Sequence, residues 1–176
     1  MARAGKVDFA LTLMTGNDTA LSCNPLLSDR PCLVYSEDHP LSDNHPVKPE
    51  ALLPYHFIKP PLDTSSHQMI ERFQREAGSE LTFAAVASRL MTLEVMVRAG
   101  LGLLILPALS ARLCAHSGLR FCPIDCESVW RCCQIIHQLH RQHAPIVTQV
   151  IEATKMAAKV LQQDTPDLMT LQTPVA

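Results

Sequence analysis

The residue types best suited to hold a metal are crowded into one late stretch of the chain. Cys122 and Cys126 are followed by Cys132 and Cys133, and then by His137, His140 and His143. Thiolate and imidazole are the donors zinc prefers, and a structural site needs four of them in a tetrahedron. The spacing argues against such a site. Cys126 to Cys132 makes no second knuckle of a standard finger. Cys132, Cys133 and His137 fall on an expected strand, where adjacent residues face opposite sides. The expectation is therefore no metal and no cofactor, with a small zinc-stabilised domain kept as an alternative. A redox role for Cys114, Cys122 and Cys126 would need an electropositive setting, and only Arg112 and Arg120 stand nearby. Buried, inert thiols are the better expectation.

A second set of groups is suited to an anion. In "KPPLDTSSHQ", Lys59 closes a short strand, and Thr64, Ser65 and Ser66 stand at the start of a helix. In doubly wound folds ligands bind beyond the carboxyl ends of strands. Free amides and hydroxyls at a helix start can take a carboxylate, and Lys59 adds charge. Plain helix capping is the simpler account of the same hydroxyls. Ser88 ends the strand of "TFAAVAS" and Thr12 ends that of "VDFAL", so each either meets a ligand or only caps or faces solvent. The end of the strand "LGLLILP", near Leu106 and Pro107, is the last position expected close to a cleft.

Gly100 and Gly102 in "VRAGLGLLILP" raise the question of a phosphate loop. Such a loop follows a strand and opens a helix. Here the order is reversed: a helix ends and a strand begins. Gly100 then serves the helix end, and Gly102 allows close approach at the strand entry. Enzyme chemistry finds little support. There is no Gly-x-Ser-x-Gly elbow, Walker loop or His-Glu-x-x-His, and Glu71 and Glu127 are isolated acids. The expectation is a protein that is not an enzyme.

The elements that must position these groups are legible in outline. The chain has 176 residues, 47% of them hydrophobic, with a net charge of −2. That suits one domain or two lobes sharing a core and offers no basic patch for nucleic acid or a membrane surface. The run 99–111 is too short and too interrupted to span a bilayer, and the start lacks a secretory signal. Seven irregularly spaced cysteines make a poor disulfide framework and fit a reducing cytoplasm. Strands are expected in "KVDFALTL", over Cys32–Tyr35, and in "HFIKP", "LTFAAVAS", "LGLLILP", "LRFCPID" and "VWRCCQIIHQL". Helices are expected in "DTSSHQMIERFQREAG" (stopped by Gly78), "RLMTLEVMVRAG" (one face carrying Leu90, Leu93, Met96 and Val97), "ALSARLCAHSG" and "APIVTQVIEATKMAAKVL", with a helical turn over Pro49–Leu53. Alternating strands and helices predict an α/β fold with mainly parallel pairing.

In that order, several segments resemble the effector domain of the LysR-type transcriptional regulators. "VRAGLGLLILP" is similar to that family's helix–turn–strand segment. "ARAGKVDFAL", "NPLLSDRPCLVYSEDHPLS" (Leu26, Leu27, His39, Pro40, Leu41), "ALLPYHFI", "MIERFQREAGSE", "GLRFCPID" and "HRQHAPIVTQVIEATK" match others, over roughly residues 2–162. The resemblance implies a two-lobe, periplasmic-binding-protein-like (type II) α/β effector domain, crossed twice by the chain, with a ligand cleft between lobes. It implies residues 1–35 in part of lobe I, 36–129 in lobe II, 130–162 as the return strand and final helix of lobe I, and 163–176 as a flexible tail. The family's winged helix-turn-helix, and the first strand and helix of lobe I, find no match, so lobe I is expected to be incomplete. The implied function is small-molecule sensing and oligomerisation in a cytoplasmic regulator. The partners would be a small, often anionic effector, copies of the same chain, and DNA only through the unmatched amino-terminal domain; no membrane is expected. The expected ligand residues are Thr12, Lys59, Thr64, Ser65, Ser66, Ser88 and Leu106. A solute-binding domain without a regulatory role is the other alternative.

Overall fold

The computed structural model describes residues 2, 4–13, 19–41, 46–126, 128–139 and 143–171. Among them the chain forms, in order, β1 (Phe9–Thr12), β2 (Leu21–Asp29), β3 (Pro31–Ser36), β4 (His56–Lys59), α1 (Ser65–Ala77), β5 (Thr82–Val86), α2 (Leu90–Arg98), β6 (Leu104–Pro107), α3 (Ala108–Cys114), β7 (Leu119–Pro123), β8 (Arg131–Gln138), α4 (Pro145–Asp164) and β9 (Met169–Leu171). A 3-10 turn covers Pro49–Leu52 and another Ala115–Ser117. This is the α/β fold expected. Two compact units result: residues 1–28 with 132–176, and residues 29–131.

The second unit is built on a three-stranded sheet ordered β6-β3-β7, with β3 in the middle. β6 is buried at every position, and so is β3 up to its last residue. That is why neither shows polar–apolar alternation. Leu33, Tyr35 and Ile105 belong to one cluster with Phe57 of β4 and with Met69, Ile70 and Phe73 of α1. Met69 and Ile70 stand four and three residues before Phe73, the spacing of one face of an amphipathic helix. α3, whose Ala108, Ala111 and Cys114 are buried outside that cluster, lies against all three strands. β4 and β5 run parallel, joined by α1. Leu103 extends this pairing: its N–H donates to the His56 carbonyl and its carbonyl accepts from the Ile58 N–H, both at 2.8 Å.

Mainly parallel pairing is not what the structure shows. β3 is antiparallel to both β6 and β7, and β1 is antiparallel to β8. The helix between β6 and β7 does make those two strands run the same way, as the alternation predicts. They are not neighbours, however, because β3 is inserted between them. Alternation of elements fixes strand direction and leaves adjacency open.

The turn after α2 answers the question of the two glycines. The helix is capped at Ala99, one residue before the expected position, and Gly100 follows with φ +71°. The Gly100 N–H donates to the Val97 carbonyl and the Leu101 N–H to the Met96 carbonyl. This is the paired-bond Schellman closure that a left-handed glycine permits. Gly102 is required for a different reason. A Cβ there would lie 2.9 Å from the His56 carbonyl oxygen, at φ +156°.

The first unit holds a four-stranded sheet ordered β1-β8-β2-β9 together with α4. Pro145 occupies the first turn of α4, where its missing N–H is tolerated. Two strands here go unanticipated by the sequence pattern. β2 contains Pro25, which normally argues against an interior strand. Yet β2 has nine residues and its outer neighbour β9 only three, which leaves room for a residue that cannot donate. β9 lies within the stretch 163–176 expected as a tail. Within that stretch, residues 172–176 lie outside the described residues.

Candidate functional site

The amino-terminal turn of α1 follows the carboxyl end of β4 in the second unit. Thr64 is extended (φ −101°, ψ 150°) and is the cap residue. Its Oγ1 accepts from the His67 N–H at 3.2 Å and donates to the Pro61 carbonyl at 2.7 Å. Thr64 therefore ties down the helix start, as a cap should. The next two amides, of Ser65 and Ser66, have no partner among the described residues. They carry the partial positive charge of the helix start. The half-buried Ser66 hydroxyl is likewise unpaired among the described residues. The Ser65 hydroxyl accepts from Arg131 Nη1 at 3.4 Å.

That arginine, and the aspartate it binds, are the groups the sequence reading missed. Arg131 Nε and Nη2 donate to Asp29 Oδ1 and Oδ2 at 2.9 and 2.7 Å, a bidentate pair. Both side chains are buried, 8% and 4% exposed. Asp29 Oδ2 also accepts from the Leu109 N–H at 2.9 Å, at the start of α3. Asp29 and Arg131 are the first and last residues of the second unit. The chain thus enters and leaves this unit through one buried ion pair, which also holds the first turns of α1 and α3. The available signal was a charged residue inside an apolar strand pattern, in "LLSDRPCLV" and "VWRCCQII". A charge so placed needs a buried partner.

The other expected site residues are distributed as follows. Lys59 is half-buried at the end of β4, its Nζ 5.0 Å from the centre of the Phe83 ring. Its backbone carbonyl accepts from the Ala87 N–H, just beyond β5. Ser88 is exposed and does not cap α2. Arg89 is the cap residue there, with no side-chain cap bond. Leu106 is 3% exposed, paired with Cys32 across the sheet. These three and the α1 hydroxyls all belong to the second unit, whereas Thr12, at the end of β1, belongs to the first.

Among the described residues no three His, Cys, Asp or Glu side chains are grouped to hold a metal ion; His140 lies outside those residues. Cys122 and Cys126 are in the second unit, and Cys132, Cys133, His137 and His143 in the first. Both His137 nitrogens are engaged, Nε2 with Asn24 Nδ2 at 3.3 Å and Nδ1 with the Gln138 carbonyl at 3.1 Å. Burial pushes the thiols up: Cys114 to about 12, with Glu94 adding to it, and Cys122 to about 11. The Cys32 thiol is raised further, first by burial and then by Cys122 and Asp29. Thiols held protonated in this way are poor nucleophiles. No helix among the described residues is long and apolar enough to cross a membrane.

The model of the LysR substrate binding domain family matches residues 1–159. No curated protein matches the chain. Solved structures do. The effector binding domain of QuiR in complex with shikimate is 16% identical, with a TM-score of 0.73 over 90% of this chain and 75% of that one. The BenM effector binding domain with its effector benzoate is 18% identical, with a TM-score of 0.71 over 93% and 74%. HinK, a LysR family transcriptional regulator from Pseudomonas aeruginosa, is 19% identical, with a TM-score of 0.75 over 91% of this chain and 56% of that one. At these identities the likeness is one of fold.

Proposed function

The chain belongs to the LysR substrate binding domain family, and on that premise we propose that it is the effector-sensing and oligomerisation part of a LysR-type transcription regulator. Its ligand is a small anion, of which the shikimate and benzoate bound by QuiR and BenM are chemical examples. The observation that carries this reading is the family match together with the open helix start of α1. Two unpaired amides and the Ser66 hydroxyl stand there beside Ser65, whose hydroxyl is bonded to a buried arginine. A carboxylate at such a position meets oriented dipoles that need no reorganisation.

In this proposal Ser65, Ser66 and Lys59 contact the effector, Thr64 holds the helix start in shape, and Ser88 and Leu106 line the remainder of the site. Residues 29–131 form lobe II, and 1–28 with 132–176 belong to lobe I. The protein works in the cytoplasm as a homo-oligomer, and contacts with DNA are made by segments outside this chain. Sensing is a shift between conformations, driven by tighter binding of the effector to one of them.

The test is a calorimetric titration of the chain with shikimate and with benzoate. Saturable binding that Ser65→Ala weakens severalfold supports the reading. Unchanged affinity in Ser65→Ala, Ser66→Ala and Ser88→Ala alike removes this site from consideration. Sedimentation of the chain at a range of concentrations tests the oligomer independently, and a monomer throughout counts against it.

A further inference from the structure

A cavity of about 290 Å³ lies in the unit of residues 29–131, away from the helix start of α1. It is lined where β3 ends (Ser36), where β4 begins (Tyr55 and His56), and by Gly102 before β6. None of Lys59, Thr64, Ser65, Ser66, Ser88, Leu106, Asp29 or Arg131 lines it. β3 runs from the charged pair at its start to this cavity at its end, and β4 from the cavity to Lys59. The two sites therefore stand at opposite ends of the same strands.

Among the described residues no carboxylate, guanidinium or ammonium group lines the cavity. The hydroxyls of Ser36 and Tyr55, the His56 ring and the Gly102 N–H have no partner among the described residues. His39 supplies a ring in a fixed tautomer. The Leu41 N–H donates to its Nδ1 at 3.3 Å, which places the proton on Nε2. That ring lies 4.9 Å from the Tyr55 ring, tilted by 59°, and 6.2 Å from Tyr35. The carboxyl end of α2 reaches the cavity at Val97 and Gly100, and the partial negative charge of a helix end repels an anion. Among the described lining residues none is a carboxylate that would pair a cation. Ring-on-ring contact rewards a flat aromatic partner. A cavity near the small end of the usual ligand range, about 300–1,000 Å³, holds a compact one.

We propose that this cavity is a second ligand site, separate from the anion site, for an uncharged, compact aromatic ring bearing a hydroxyl, a compound of the phenol class. The ring packs against the His39–Tyr55 pair. The hydroxyl oxygen accepts from the Gly102 N–H and its proton goes to the Ser36 or Tyr55 oxygen. Gly102 serves twice, since the missing Cβ that lets His56 approach also leaves its amide open.

The experiment is a titration of the full chain with phenol at pH 7.5, followed by amide and imidazole NMR signals. Benzoate and benzylamine serve as the anionic and cationic counterparts. Saturable shifts at the Gly102 amide and the His39 ring are expected with phenol, at least tenfold weaker with either charged probe. Ala84 is exposed and lines the cavity, so Ala84→Phe fills it from the solvent side and should abolish the phenol shifts at an unchanged melting temperature. Ser36→Ala should weaken them severalfold. Shifts that do not saturate, that survive both variants, or that benzoate reproduces at the same concentration overturn the proposal. Because the two sites share no residue, failure here leaves the effector reading untouched.

Discussion

The two ends of β3 and β4 are made from the same strands and carry opposite chemistry. At one end, Asp29 and Arg131 are buried, mutually satisfied and tied into the first turns of α1 and α3. At the other, an aromatic cavity has hydroxyl and amide groups without partners and no lining carboxylate, guanidinium or ammonium among the described residues. The difference lies in what each end must do for the fold. The first end is where the chain enters and leaves the unit, and its polar groups are consumed in holding that junction. The second is closed by backbone bonds between Leu103 and β4, so its side chains are released from structural duty. Unspent polar groups are what a ligand can use.

The largest effect should come from breaking the charged end. Arg131→Ala leaves Asp29 buried without its partner, and the loss of one member of a buried pair costs about 3–5 kcal/mol. The midpoint of denaturant unfolding should fall accordingly. Asp29→Asn should cost less than Arg131→Ala, because the amide can still accept one bond. The matched truncation at the other end, Ser36→Ala, should move the midpoint by no more than about 0.5 kcal/mol, as surface changes do. Equal costs at the two ends would erase the distinction.

A second comparison separates the glycines. Gly102→Ala places a methyl 2.9 Å from a carbonyl oxygen at a forbidden φ, and should cost about 1–3 kcal/mol. Gly100→Ala meets open space, so only its left-handed conformation counts against it, about 1 kcal/mol. Thermal melts of the two variants read the difference directly, and a costlier Gly100→Ala would show the close approach at His56 to be relaxed in solution.

What the sequence made legible follows the same division. Elements announced by local rules appear where expected: α1 with its stop at Gly78, α4 with Pro145 in its first turn, and the apolar run of β6. The helix-to-strand order around Gly100 and Gly102 rightly spoke against a phosphate loop. Features that depend on partners distant in sequence were not legible. The place of β3 between β6 and β7 is set by a sheet assembled from three separate segments. β2 was obscured by Pro25, whose tolerance depends on a short neighbour. The cap at Thr64 was legible because capping is local. Arg131 and Asp29 were not, since their meaning lies in a contact spanning most of the unit. The aromatic cavity gave no signal, because His39, Tyr55 and Gly102 are unremarkable until the strand ends bring them together.

The buried thiols give a further, smaller effect. With their folded values raised above the ordinary thiol range, Cys114 and Cys122 bind protons in the native state that the unfolded chain has released. Their contribution to stability is complete below about pH 9 and is lost as pH rises toward the folded values. The melting temperature should therefore decline between pH 9 and 11, and Cys114→Ala should flatten the decline. At pH 8 a thiol reagent should label exposed Cys23 in the native protein and Cys32, Cys114 and Cys122 only upon opening. Faster labelling of Cys32 than of Cys122 in Arg131→Ala would localise the damage to the charged end.

The smallest effect belongs to the aromatic end and has the opposite pH sign. Burial holds the His39 imidazole below its ordinary value, so the unfolded chain takes up a proton more readily than the folded one as the solution is acidified. The stability His39 contributes is present above about pH 6.5 and is lost as pH falls. His39→Gln should therefore flatten the decline in melting temperature between pH 7.5 and 5.5. A decline as steep in His39→Gln as in the unaltered protein would show that the buried imidazole does not carry this pH dependence.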